Sequence, residues 1–250
     1  MAKRKTIWDK VNQLNNAGFV GREVQLQSFR ENIHRDPEDL HFTNIFNIYG
    51  NGGVGKTTLL RQFEEIARKN ATLVAYSDEY VKDVPAFMNA VAEALEKDDC
   101  PLRKFKTRYK IYRQKKEELE TDPKAPQGFA AFVGRTIAKG SISLSKTVPG
   151  IGKALEFVDT DSFTNQAGEW ASFVAKKLSN KDEVQLILEP EKVLTPIWLE
   201  DLSAYLEDRK LALLIDTYEV THKFLDLWLR DLLMDKFGDF PFTSIRVISG

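Results

Sequence analysis

The residues best suited to chemistry lie in one short stretch. Gly50-Asn51-Gly52-Gly53-Val54-Gly55-Lys56-Thr57 fits the spacing G-x-x-x-x-G-K-[ST] at every fixed position. A triphosphate carries several negative charges and needs many donors at close range. Glycines let a backbone turn tightly, so the amides of this run, with those of Asn51 and Val54, form an anion nest completed by the start of the next helix. Lys56 is placed to reach the β- and γ-phosphates, the Thr57 hydroxyl to ligate Mg²⁺, and Thr58 to hydrogen-bond the α-phosphate.

Hydrolysis also needs a carboxylate for the metal, at the end of an apolar strand beside the phosphate loop. Asp216 follows Leu211-Ala-Leu-Leu-Ile215 and has that placement, holding Mg²⁺ directly or through water. Glu219, three residues on, is the candidate for orienting or deprotonating the attacking water. Its plainer reading is a helix-start acid favoured by the dipole. Glu189, Glu191 and Glu200 are weaker rivals for that base. In this scheme water attacks the γ-phosphate in line, with Lys56 and Mg²⁺ neutralising charge.

The elements that must position these groups can be traced along the chain. Leu26, Phe29 and Ile33 recur at helical spacing until Asp36-Pro37 breaks the pattern. Asn44 to Tyr49 is a short β-rich run, and the glycine cluster follows it. Leu59, Leu60, Phe63, Ile66 and Ala67 then share one helix face. Thr72 to Tyr76 is the next strand candidate. Asp83 reads as an N-cap with Pro85 in the first turn of a helix carrying Phe87, Val91 and Leu95. Trp170, Val174 and Leu178 belong to a further helix. Thr195-Pro196 reads as the start of a helix with Ile197, Leu199, Leu202 and Leu206. Leu211 to Ile215 is apolar throughout, as suits a strand covered on both faces of a parallel sheet. Phe224, Leu225, Trp228, Leu229 and Leu232 form a helix, and Ser244 to Ser249 a last strand. Strands alternating with helices predict an α/β fold: a parallel sheet flanked by helices.

Residues 101–182 differ in texture and are expected to be a mostly helical insertion. Arg103 to Lys116 holds eight basic residues in fourteen, threaded by Leu102, Phe105, Tyr109 and Tyr112. Either the Lys and Arg face binds a nucleic acid or a partner, or the helix buries its aromatic stripe and solvates its charges. The second reading is preferred because Glu117, Glu118 and Glu120 follow at once. The Gly-, Ser- and Val-rich segment at 128–158 is interrupted by Arg135, Lys139, Lys146 and Lys153, too often for a membrane span, and is read as a partly buried lid or subdomain.

Composition narrows the class further. The chain has 250 residues, 42% of them hydrophobic and 29% charged, which excludes a disordered chain. Its net charge of −1 gives no global attraction to nucleic acid. One cysteine, Cys100, can form neither an internal disulfide nor a Cys-rich zinc site, and has no base partner in sequence to make it a nucleophile. No secretory leader or apolar span is visible, so a cytoplasmic protein is expected.

Phe19-Val-Gly-Arg-Glu23, about thirty residues before the glycine run, together with Gly50 to Thr58 and Asp216-Thr-Tyr-Glu219, resembles the STAND-class ATPases, the signalling NTPases that include NB-ARC and NACHT modules. Ser244 to Ser249 looks like their sensor strand. The resemblance covers residues 19–99 and 190–250, with 1–18 as a lead-in. It implies an ASCE-type P-loop sheet with an extra strand between those leading to Lys56 and Asp216. It further implies that Val20, Gly21 and Arg22 line the adenine or ribose side of ATP or ADP. Such proteins are slow ATPases that switch between a closed ADP form and an open ATP form that self-associates. Thr217 stands where relatives often carry a second acid. The resemblance also implies that the chain is the N-terminal part of a longer protein. Two other readings stay open: an origin-recognition-like AAA+ ATPase acting on DNA, and a nucleotide-bound scaffold without turnover.

Overall fold

The computed structural model describes residues 22–126, 161–206, 209–239 and 244–249. The lead-in at 1–18, Val20, Gly21, the 128–158 segment and Gly250 lie outside these residues. In chain order the elements are α1 (Glu23–His34), β1 (Ile45–Ile48), α2 (Lys56–Lys69), β2 (Leu73–Ser77), α3 (Val84–Glu96), α4 (Arg103–Glu120), α5 (Asp161–Lys177), α6 (Lys181–Leu188), α7 (Pro190–Leu206), β3 (Leu211–Ile215), α8 (Tyr218–Leu233) and β4 (Ser244–Ser249).

The four strands pair in parallel in the order β1-β4-β3-β2. β4 therefore lies between the strand that leads into the glycine run and the strand that ends at Asp216. Parallel neighbours put all four C-terminal ends on one edge. Ile48 stands opposite Ser249, and Ser77 opposite Ile215. Every residue of β3 is buried. The period of two divides them: Leu211, Leu213 and Ile215 join one apolar cluster, Ala212 and Leu214 another. The second cluster is closed by α1 and α2. The first is closed by α3 to α8. Helices thus cover both faces of the sheet.

Local signals explain most of the helices. The Asp83 carboxylate accepts the Ala86 amide at 2.8 Å and caps α3, with Pro85 in the first turn. On α1, Phe29 stacks on Phe63 of α2 with centroids 4.1 Å apart, which anchors α1 over the helix that follows the glycine run. Lys210, just before β3, donates to the carbonyls of Ile33 and Arg35 and satisfies the C-terminal end of α1.

α4 buries Leu102, Phe105 and Tyr112, with Tyr109 partly covered, so its aromatic stripe belongs to the same cluster as Leu73 and Leu213. Asp201, buried on α7, accepts the Phe105 amide at 2.9 Å and fixes the first turn of α4. The basic side chains of α4 meet acids from other helices. Lys104 pairs with Glu200, Lys106 with Glu96, Lys115 with Glu183 and Lys116 with Asp83.

One expected helix start is wrong. Thr195-Pro196 does not begin α7, which starts at Pro190 and carries Pro196 inside it. Pro190 already supplies the favoured first-position proline. Thr195 serves the core instead. It is fully buried, and its hydroxyl accepts the Trp228 indole N–H at 3.0 Å. Among the described residues, no helix is long and apolar enough to cross a membrane.

Glu191, in the first turn of α7, faces a cavity of 480 Å³ lined also by Trp228, Asp231, Lys192 and Lys236. Its Oε1 is buried without a hydrogen-bond partner among the described residues. Lys192 and Lys236 are engaged by Glu189 and Asp231. Burial pushes the Glu191 carboxyl up to about 8, and the charges of Asp83 and Asp231 add to the effect. Between its ordinary value of 4.5 and about 8, the folded chain therefore holds more protons than the unfolded one, and stability falls as pH rises through that window. Glu191→Gln keeps the shape and removes the charge. Its Tm should exceed that of the wild type by about 3 °C or more near pH 8.5 and differ least near pH 5. Parallel Tm curves for the two proteins would contradict this.

Candidate functional site

The site forms at the edge of the sheet where the four strands end. β1 stops at Ile48, and the chain turns through the glycine run into α2. Gly55 is the N-cap of α2 in the left-handed region at φ 82°, a conformation that costs glycine nothing. Gly50 also has positive φ, and a Cβ there would stand 3.0 Å from Val54 Cγ2. The loop therefore needs glycine at these two positions for its path, and its residues Asn51 to Val54 remain exposed. Lys56 Nζ donates to the carbonyls of Gly50 at 2.7 Å and Asn51 at 3.3 Å, so the ammonium rests against the backbone of its own loop. Thr57 and Thr58 follow in the first turn of α2.

Arg22 reaches the loop from outside. It is the N-cap of α1 in the left-handed region, and its Nη2 donates to the Val54 carbonyl at 3.4 Å. The Phe29–Phe63 stack holds α1 so that this contact is made. Of the three lead-in residues expected at the site, Arg22 is at the loop, while Val20 and Gly21 lie outside the described residues.

Asp216 extends β3 by one residue. Its amide donates to the Ser77 carbonyl at 2.8 Å, and its side chain is buried. A carboxylate taken out of water needs donors on both oxygens. Oδ1 accepts the Thr217 amide at 3.0 Å, and Oδ2 accepts the Tyr76 hydroxyl at 2.6 Å. Tyr76 is half-buried on the neighbouring strand β2. Its own burial, and then its bond to Asp216, hold the phenol protonated far above its ordinary range. It is therefore a constant donor.

Thr217 is strained. Its φ is 54°, in a region that a β-branched residue avoids at a cost of about 1–3 kcal/mol. It is the N-cap of α8, yet its hydroxyl makes no cap bond, a contribution typically worth about 0.5–2 kcal/mol. The hydroxyl instead donates to Glu79 Oε2 at 3.0 Å. Glu79 lies two residues beyond β2, at the same edge of the sheet. Glu219 occupies the first turn of α8, exposed to solvent. At the end of β4, the Ser249 hydroxyl is buried and has no hydrogen-bond partner among the described residues.

Of the predicted residues, then, Arg22 and Gly50 to Thr58 form one side of the edge, and Asp216 with Glu219 the other. The rival acids have different surroundings: Glu189 pairs with Lys192, Glu200 with Lys104, and Glu191 faces the cavity beside Trp228. Cys100 is fully buried, and burial raises its thiol, which opposes a nucleophilic role. Sequence reasoning does not reach Tyr76 and Glu79. Tyr76 reads in sequence as one more strand aromatic, and Glu79 as an exposed loop acid. No family model matches the chain, and no curated protein matches it.

Tyr76→Phe deletes one donor to a buried carboxylate and little else. It should lower stability by about 1–3 kcal/mol, read as a lower urea midpoint at unchanged slope. An unchanged midpoint would mean that the 2.6 Å bond is not made in solution.

Proposed function

We propose that this chain binds ATP or ADP with Mg²⁺ and hydrolyses ATP slowly, as the nucleotide-dependent switch of a STAND-type signalling or defence protein. One observation carries the reading. A loop with phosphate-binding spacing joins β1 to α2 at the same sheet edge where β3 ends in a buried, oriented carboxylate. The strand order β1-β4-β3-β2 supports an ASCE-type P-loop sheet, and the crevice beyond strand C-termini is where such sheets bind ligands.

The residues present fit the nucleotide and its metal. Gly50, Gly53 and Gly55 have positive φ, the tight turning that a phosphate-binding loop needs, while the Val54 amide is bonded to the Asn51 carbonyl at 3.5 Å. Thr57 and Asp216 are the hard oxygen ligands that Mg²⁺ takes beside phosphate oxygens and water. Held by Thr57 and Asp216, Mg²⁺ would supply charge neutralisation for the transferred phosphoryl group. Lys56 leaves the carbonyls of Gly50 and Asn51 to pair with the phosphates. Tyr76 and the Thr217 amide hold the Asp216 carboxylate in one orientation. Arg22 lies beside Val54 on the side expected to meet the nucleoside.

Thermal unfolding with Mg-ATP, Mg-ADP, Mg-GTP and no addition tests the reading. A ligand at about 100-fold over its Kd stabilises by about 2.7 kcal/mol, a shift of roughly 5–10 °C for a chain of this size. ATP and ADP should give that shift, GTP should not, and Lys56→Ala should abolish it. No shift with any nucleotide, together with no ADP on acid extraction of the purified chain, would refute it.

A further inference from the structure

Two glutamates compete for the carboxylate that would serve the attacking water, Glu219 on α8 and Glu79 beyond β2. Thr217 follows Asp216 directly. Glu219 stands beyond it in the first turn of α8, where the dipole accounts for an acid; it and Glu79 are both exposed, and what separates them is the Thr217 bond that Glu79 accepts. The neighbouring strand ends differently. β2 is paired with β3 through Ser77 and Ile215, and the Ser77 carbonyl accepts the Asp216 amide. The chain then turns at Asp78, whose carboxylate accepts the Tyr80 amide. This turn brings Glu79 back to Thr217, where Oε2 accepts the Thr217 hydroxyl at 3.0 Å.

Two local features accompany that contact. Thr217 adopts a left-handed conformation, and it withholds its hydroxyl from the helix it caps. The left-handed turn comes with the amide bond from Thr217 to Asp216 Oδ1, and it leaves the hydroxyl to hold the acid that follows the next strand. We infer that Glu79 is the catalytic carboxylate of this site: it polarises the attacking water, with Thr217 as the residue that positions it. The inference rests on the nucleotide reading above.

The step balances without a further reactant. The water oxygen forms a bond to the γ-phosphorus of ATP as the bond from that phosphorus to the β–γ bridging oxygen breaks. ADP leaves with the bonding electron pair. Glu79 accepts a proton from the water and releases it to phosphate or solvent, so the carboxylate is regenerated. Its second oxygen keeps the Thr217 bond throughout.

The test is single-turnover hydrolysis by the chain in excess over Mg-ATP, with acid quench and measurement of the ADP to ATP ratio. Glu79→Gln preserves an acceptor for the Thr217 hydroxyl and removes only the basic oxygen. It should bind ATP within about twofold of wild type and convert it roughly 10²–10⁴-fold more slowly. Glu79→Asp should fall between the two. Glu219→Gln should stay within about threefold of wild type, a loss too small for a general base. The inference is overturned if Glu79→Gln turns over at the wild-type rate or loses ATP binding along with turnover. It is also overturned if Glu219→Gln takes the loss, or if wild type binds ATP and converts none. A wild type without Lys56-dependent ATP binding would instead remove the nucleotide reading itself, and this inference with it.

Discussion

A strand with apolar side chains on both faces has to be covered on both faces, and β3 is such a strand. Leu211, Leu213 and Ile215 need one layer of helices, and Ala212 and Leu214 the other. Parallel pairing meets that need because each crossover carries a helix back over the sheet. The same pairing sends all strand C-termini to one edge. Polar groups that could not be tolerated in the middle of the sheet collect there: Asp216, Ser77, Ser249 and the loop at Gly50 to Gly55. The site is thus a consequence of how the core is closed.

At that edge the burial of Asp216 sets the rest. An ionised carboxylate with little access to water is tolerated only when donors face it. Tyr76 supplies one from the next strand, and the Thr217 amide supplies the other. The second bond comes with a left-handed turn at Thr217, and that turn aims its hydroxyl toward Glu79. Strain, orientation and the placement of a second acid are therefore linked through one residue. Across the edge, Lys56 and Arg22 both donate to carbonyls of the glycine loop. Cations on one side and carboxylates on the other are what the proposed reading, an anionic ligand with a divalent metal, requires.

Much of this is legible in the sequence because the signals are local. The spacing of Leu59, Leu60, Phe63 and Ile66 marks the buried face of α2, and Asp83 with Pro85 marks the start of α3. The glycine run marks the turn from β1 into α2. The roles of Tyr76 and Glu79 are not legible, because their partners lie 140 and 138 residues away. Only the pairing of β2 with β3 brings them to Asp216 and Thr217, and no spacing rule encodes that pairing. Thr195-Pro196 misleads for the opposite reason. Its residues carry a strong local start signal, yet a tertiary bond to Trp228 and an earlier proline at 190 decide the helix. The aromatic stripe of α4 is legible as a buried face from its spacing alone. That α4 shares one core with the strands is hidden, since Asp201 and Glu200, which hold it, come from a helix far along the chain.

The central claim is that the glycine loop and Asp216 face one ligand together. A crystal structure with Mg²⁺ and a non-hydrolysable ATP analogue tests it most directly. The account predicts phosphates against the loop with Lys56 turned toward them, and the metal between the Thr57 hydroxyl and the Asp216 carboxylate. An analogue bound elsewhere, or a metal held without Asp216, would contradict it.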